Sequence, residues 1–114
     1  MPYINARTTT PVSAEKQEAI KALLGKAIET IPGKSEAWLM VEICPECNIW
    51  FRGDNSAPSA YIEIKIFGEA TDSACEAMTA AVCDIFEKEL SIPADRTYVK
   101  YEFCHVWGWN GANF

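Results

Sequence analysis

The hydrophobic and polar positions of this chain switch between two periods, and each switch marks a new element. Pro2 to Arg7 opens as a short strand, with Tyr3, Ile4 and Ala6 apolar and Thr8-Thr9-Thr10-Pro11 closing it. Ser13 stands as an N-cap, and Ala14 to Ile31 then puts Ile20, Leu23, Leu24, Ala27, Ile28 and Ile31 at the three-and-four spacing of one helical face. Pro32-Gly33 ends that helix. Ala37 to Cys44 is almost wholly apolar and predicts a strand buried on both faces. Pro45 to Asn55 is irregular, with Ile49-Trp50-Phe51 as a short strand and Arg52 to Ser56 as a turn. The clearest strand follows, where Ile62, Ile64 and Ile66 alternate against Tyr61, Glu63, Lys65 and Phe67. Gly68 stops it, Thr71 or Asp72 caps a second helix, and Cys75, Met78, Val82, Ile85, Phe86 and Leu90 form its apolar stripe. A fourth strand is predicted from Arg96 to Phe103, and a short aromatic tail closes the chain.

The order is strand–helix–strand twice over, and the halves match in detail. Pro2-Tyr3-Ile4 parallels Ala60-Tyr61-Ile62, and Ile31-Pro32-Gly33 before Trp38 parallels Ile92-Pro93-Ala94 before Tyr98. A period of about sixty residues is too long for a solenoid and fits a duplicated βαβ unit, each with a right-handed crossover. Both helices carry a single apolar face, so the expected architecture is α/β (α+β): a four-stranded mixed sheet with both helices on one side. The doubly apolar second strand implies that the sheet's other face meets a partner subunit.

At 114 residues the chain is expected to form one domain, residues 1–114. A net charge of −6 and the absence of a basic stripe argue against nucleic-acid and anionic-membrane partners. No apolar run approaches the roughly 20 residues of a membrane helix, and nothing at the start reads as a signal peptide. The cysteine count of five is odd and fits a reducing compartment. A cytoplasmic location is the expectation.

Candidate chemistry begins at the second residue. Removal of Met1 would leave Pro2 as a free secondary amine, and chain-terminal amines titrate at roughly 7.7–8.0. An apolar pocket with a cationic neighbour lowers that value further, because both disfavour the charged form. Such an amine is a general base poised near neutral pH. On its own, Pro2 reads first as a tolerated residue at a strand start, and the rest of the chain must raise the functional reading.

The surrounding residues extend the pattern. Met1-Pro2 before a strand, Gly33-Lys34 after the first helix, Phe51-x-Gly53, Ala57-Pro58-Ser59-Ala60, Asp95-Arg96-Thr97-Tyr98-Val99 and Gly108-Trp109-Asn110-Gly111-Ala112-Asn113-Phe114 follow in order across nearly the whole chain. This set resembles the macrophage migration inhibitory factor family of the tautomerase superfamily, including its microbial members. The resemblance implies a homotrimer with active sites at subunit boundaries and no metal or organic cofactor. It implies keto–enol tautomerisation of a small aromatic 2-oxo acid such as phenylpyruvate, or of a dopachrome-type compound, with Pro2 as the base. Lys34 corresponds to the family's pocket lysine, a binder of carboxylate, and Tyr98 to a pocket tyrosine that arrives from a neighbouring subunit. Phe67 falls where a backbone N–H binds substrate, and Trp109 and Phe114 correspond to aromatic walls, with Trp107 a weaker candidate. Lys100 departs from the family's usual asparagine and implies a second cation in the pocket. The segment between Tyr98 and Trp109 is about two residues shorter than in vertebrate members.

Other features compete for attention. Cys44-Pro45-Glu46-Cys47 is a C-x-x-C motif, and Cys104-His105 would complete four ligands on paper, but the spacing matches no usual zinc arrangement. The motif also ends a strand rather than opening a helix, where a thiol would be activated. His105 is a lone histidine with no nucleophile arranged beside it. An alternative function is a cytokine-like protein, released without a signal peptide, that binds a host receptor with its pocket vestigial. Hydration or dehalogenation of a small unsaturated acid is a third, although Arg7, Arg52 and Arg96 form no obvious arginine pair.

Overall fold

The structure is a computed structural model that describes residues 1–114. Strands β1 (Pro2–Thr8), β2 (Met40–Cys44), β3 (Ala60–Phe67) and β4 (Thr97–Cys104) form one sheet in the order β2-β1-β3-β4. β1 pairs parallel to β2 and β3 parallel to β4, each pair joined through a helix, while β1 and β3 meet antiparallel at the centre. Two βαβ units therefore lie side by side in opposite directions, as the internal repeat implies.

Helices α1 (Ala14–Ala27) and α2 (Asp72–Leu90) start where their caps dictate: Ser13 Oγ accepts the Lys16 N–H and Thr71 Oγ1 accepts the Ala74 N–H. The helices bury their stripes against one face of the sheet. Ile20, Leu24, Ile28 and Ile31 from the first half meet Met78, Val82 and Phe86 from the second over Ile4, Ile62, Ile64 and Ile66, all fully buried. Ile64 sits at the centre of this layer, paired to Ile4 on one side and Tyr101 on the other. Ile64→Ala is expected to cost about 2–5 kcal/mol, since the surrounding side chains cannot collapse into the cavity. A lowered urea midpoint with an unchanged slope measures this.

Four details differ from the sequence expectation. α1 ends at Ala27 and passes into a 3₁₀ turn, Ile28–Thr30, which turns the chain toward Pro32-Gly33 earlier than the apolar spacing implies. β2 starts at Met40, because Glu36–Trp38 forms another 3₁₀ turn. It is an edge strand whose Val41 and Ile43 pack toward the core, while Met40 is 68% exposed and Glu42 is also exposed. The open face of the sheet is thus mixed and charged rather than a plain apolar plate. Ile49-Trp50-Phe51 forms no strand beyond an isolated bridge between Phe51 and Asp54. The tail is more ordered than expected: β5 (Gly108–Trp109) and β6 (Ala112–Asn113) make a hairpin. Its two-residue loop, Asn110-Gly111, takes positive φ angles of 52° and 80°, as a type I′ turn requires. No helix is long and apolar enough to cross a membrane.

Candidate active site

The site forms where the first residues of β1 meet the last residues of β3. Pro2 is buried and lies opposite Ile66 in the antiparallel ladder. The chain just before it is held as well: the Phe67 N–H donates to the Met1 carbonyl at 3.0 Å. Lys34 arrives from the loop after α1, where Gly33 turns with φ 80° and the Lys34 N–H closes back on the Ile31 carbonyl at 3.1 Å. Its Nζ donates to the Phe67 carbonyl at 2.8 Å. Both backbone groups of Phe67 are therefore engaged in the site, one by Met1 and one by Lys34.

This packing acts on the terminal amine. Withdrawal from water lowers the pKa of the Met1 amine below the ordinary chain-terminal value, and the nearby Lys34 ammonium lowers it further by repulsion and hydrogen bonding. Met1 also masks what its removal would reveal. With it gone, the amine belongs to Pro2 and the Phe67 N–H loses its partner, leaving a base and a hydrogen-bond donor side by side.

An open cleft of about 590 Å³ begins at Met1 and Pro2, within the size range of small-ligand sites. Tyr3, Trp38, Met40, Trp107 and Trp109 line it. The aromatic rings continue in contact from there: Trp38 meets Trp109 edge-on at 5.1 Å, Trp109 stacks on Phe114 at 6.2 Å, and Phe114 lies 5.7 Å from Phe67. The C-terminal hairpin explains this wall, since its tight turn presents Trp109 and the Phe114 N–H ties back to the Trp107 carbonyl at 3.0 Å.

Pro2, Lys34, Phe67, Trp109 and Phe114 thus come together within one chain. Tyr98 and Lys100 do not join them. Phe103, not Tyr98, is in register with Ile66, the residue opposite Pro2. Tyr98 lies five residues further along β4, roughly 16 Å at the rise of a strand, and on the far side of β3. It is 62% exposed. Lys100 also faces away from the helices and forms an exposed ion pair with Glu102 at 3.4 Å, whose other oxygen lies 3.6 Å from Lys65. Sequence reasoning missed Trp38 and Met40 in the cleft wall. The only signal for Trp38 was the internal repeat, which makes it the counterpart of Tyr98 in the first half.

A model of the macrophage migration inhibitory factor (MIF) family matches residues 1–114. The chain belongs to the MIF family. It is 31% identical to macrophage migration inhibitory factor of Xenopus laevis over 93 residues, 80% of each chain. Among solved structures it is similar to Leishmania major MIF2, with a TM-score of 0.92 and 32% identity covering 100% of this chain and 97% of that one. A MIF homologue from Prochlorococcus marinus gives a TM-score of 0.82 at 32% identity, covering 98% of both chains. Membership carries tautomerase-type, isomerase chemistry and a small-molecule site in a protein that commonly oligomerises.

Within this MIF-family chain no cysteine lines the cleft. All five are free. The Cys47 thiol donates to the Cys44 carbonyl at 3.3 Å, closing the C-x-x-C turn on itself. Cys44 pairs with Arg7 at one end of the sheet, whereas Cys104 pairs with Phe67 at the other. The two halves of the paper zinc site are consequently separated by the length of a strand, and no cluster of three or more His, Cys, Asp and Glu ligands assembles.

Proposed function

We propose that this MIF-family protein is a cofactor-free keto–enol tautomerase of phenylpyruvate-type aryl 2-oxo acids, active as a homotrimer with Pro2 as its base. The observation that carries the proposal is geometric: Pro2 is buried at the mouth of an aromatic cleft, with Lys34 and the Phe67 N–H gathered at the same chain end. In the keto-to-enol direction the neutral Pro2 nitrogen takes a proton from the carbon next to the ketone. The C–H electron pair forms the new C=C bond, the C=O π pair moves onto oxygen, and that oxygen gains a proton from the prolinium or from water. The net change is an isomerisation. Lys34 offers its ammonium to the substrate carboxylate, the Phe67 N–H offers a fixed donor, and the tryptophans hold the aryl ring.

The number three comes from the family resemblance, and what one chain lacks supports assembly. Tyr98 and Lys100 are exposed on the far side of β3, and closed rotational symmetry is the usual way to bring such residues to a neighbour's site. Lys100 then adds a second cation for the carboxylate. Ultraviolet decay of enol phenylpyruvate, with Met1 removal confirmed by mass spectrometry, tests the proposal. A correctly processed, assembled protein without activity on this compound would refute it.

Lys34 has two separable roles, and Lys34→Gln is expected to affect both. Loss of the charge-assisted carboxylate contact raises KM by about 10- to 100-fold. The sign of the pH effect follows from repulsion: Lys34 lowers the pKa of the Met1 amine, and beside a trimmed Pro2 amine it acts in the same direction, so its removal leaves less neutral base near pH 7. The acid limb of the kcat/KM profile should therefore move to higher pH. It should not move all the way to an ordinary terminal amine, because Pro2 stays buried after the substitution.

A further inference from the structure

Tyr98 stands on the side of β4 that faces away from the helices, since its neighbours Val99 and Tyr101 pack toward the core. An exposed ring with free side-chain torsions makes an ill-defined contact, and a binding group serves best when packing locks its rotamer. Tyr98 has such a support. The Phe51 ring meets it edge-on, with centroids 5.5 Å apart and planes at 85°, the arrangement that the ring quadrupoles favour.

Phe51 is itself fixed. Its N–H donates to the Asp54 carbonyl at 2.9 Å and its carbonyl accepts the Asp54 N–H at 3.0 Å. Arg52 and Gly53 close the turn between them, both with positive φ, 55° and 76°. The Arg96 guanidinium carbon lies 5.3 Å from the Phe51 ring centroid, within cation–π range. Arg96 is in turn anchored and only 13% exposed. Its Nε donates to the Pro58 carbonyl and to Ser59 Oγ, both at 3.0 Å, and its Nη2 donates to the Asp54 carbonyl at 2.9 Å. Its Nη1 is 3.7 Å from the Asp54 carboxylate. Arg96 closes the 3₁₀ turn Ala94–Arg96 that leads directly into β4. One residue therefore ties the loop that carries Phe51 to the strand that carries Tyr98.

We infer that Phe51, backed by Arg96, is a positioning residue: it sets the rotamer with which Tyr98 enters the neighbouring subunit's site, and through it the affinity for an aryl 2-oxo acid. This rests on the intersubunit role proposed above for Tyr98. Phe51 touches neither Pro2 nor Lys34, so its effect should fall on binding rather than on proton transfer.

The test uses the processed, assembled protein and enol phenylpyruvate. Phe51→Leu is expected to raise KM by about 3- to 10-fold with kcat within about twofold, the size of a lost aromatic pair acting on binding alone. Phe51→Tyr keeps the ring and should restore the native KM. In the double variant with Tyr98→Ala, the Phe51→Leu effect should vanish, because the two residues act as one unit. An unchanged KM in Phe51→Leu, a fall in kcat alone, or simple additivity in the double variant would each overturn the inference. A fluorine resonance from 3-fluorotyrosine at position 98 keeps its failure distinct from failure of the intersubunit reading. Should Tyr98→Ala behave as wild type, the intersubunit role falls. A resonance that still shifts or broadens in Phe51→Leu would then show that Phe51 orders Tyr98 without serving the site. A resonance that does not respond to Phe51→Leu overturns the inference on its own.

Discussion

Pro2→Gly lowers kcat/KM for enol phenylpyruvate by about 10²- to 10⁴-fold, the range that a positioned general base supplies. The glycine variant keeps a terminal amine, so the loss measures placement rather than presence. Proline's ring fixes φ near −65° and fills a buried position opposite Ile66. Glycine frees the torsion, empties the pocket around the nitrogen and lets the amine turn toward water, where its ordinary basicity returns. The structure adds a control to this experiment. A chain that retains Met1 holds its carbonyl on the Phe67 N–H and has an amide nitrogen at Pro2, so it should be as inactive as the variant. Mass spectrometry of both preparations is therefore part of the measurement. A correctly trimmed Pro2→Gly protein with more than about a third of native kcat/KM would show that the proline ring's placement of the amine contributes less than the roughly 1.4 kcal/mol of a tenfold effect.

Two impaired variants should rescue each other when mixed. Pro2→Gly destroys the base in its own chain, and Tyr98→Ala removes a wall from the neighbour's site. If each site takes Pro2 from one subunit and Tyr98 from the next, co-refolding equal amounts restores activity to roughly a quarter of the sites of a randomly assembled ring. A site contained within one chain would give no rescue at all, and the mixture would have the mean of the two parents. The geometry favours rescue: the register puts Tyr98 five residues beyond the partner of Ile66, on the far side of β3, and no rotamer spans that distance. Size-exclusion chromatography with light scattering on the same mixtures reports the assembly state independently of activity.

How much of this was legible in the chain depends on how local each cause is. The βαβ order, both N-caps, the buried isoleucines of β3 and the turn at Arg52-Gly53 follow from neighbours in sequence, and all are present in the structure. Where α1 hands over to a 3₁₀ turn was not legible, because Ile28 and Ile31 continue the apolar spacing either way and only the sheet beneath them decides the path. β2 shows the same limit from the other side. Its apolar run reads as a doubly buried strand, but the helices of one chain cover only the Val41 and Ile43 side, which leaves Met40 and Glu42 on the open face of the sheet.

The candidate site divides along the same line. Pro2 behind Met1, lysine after a glycine turn and the aromatic tail are visible as residues, and together they carried the resemblance to the family. Their chemistry was not visible. The Met1 amine has a lowered pKa because the fold withdraws it from water and sets Lys34 beside it, the Phe67 N–H is paired because β3 ends against Met1, and Trp38 lines the cleft because a hairpin some seventy residues away delivers Trp109 onto it. The sequence by itself determined the elements, their order and the residue types available for catalysis, since hydrophobic period, caps and turn chemistry act over a few residues. Only the tertiary structure decided which of those residues meet. Contacts between segments depend on sheet order and register, and these emerge from burying all the apolar faces at once.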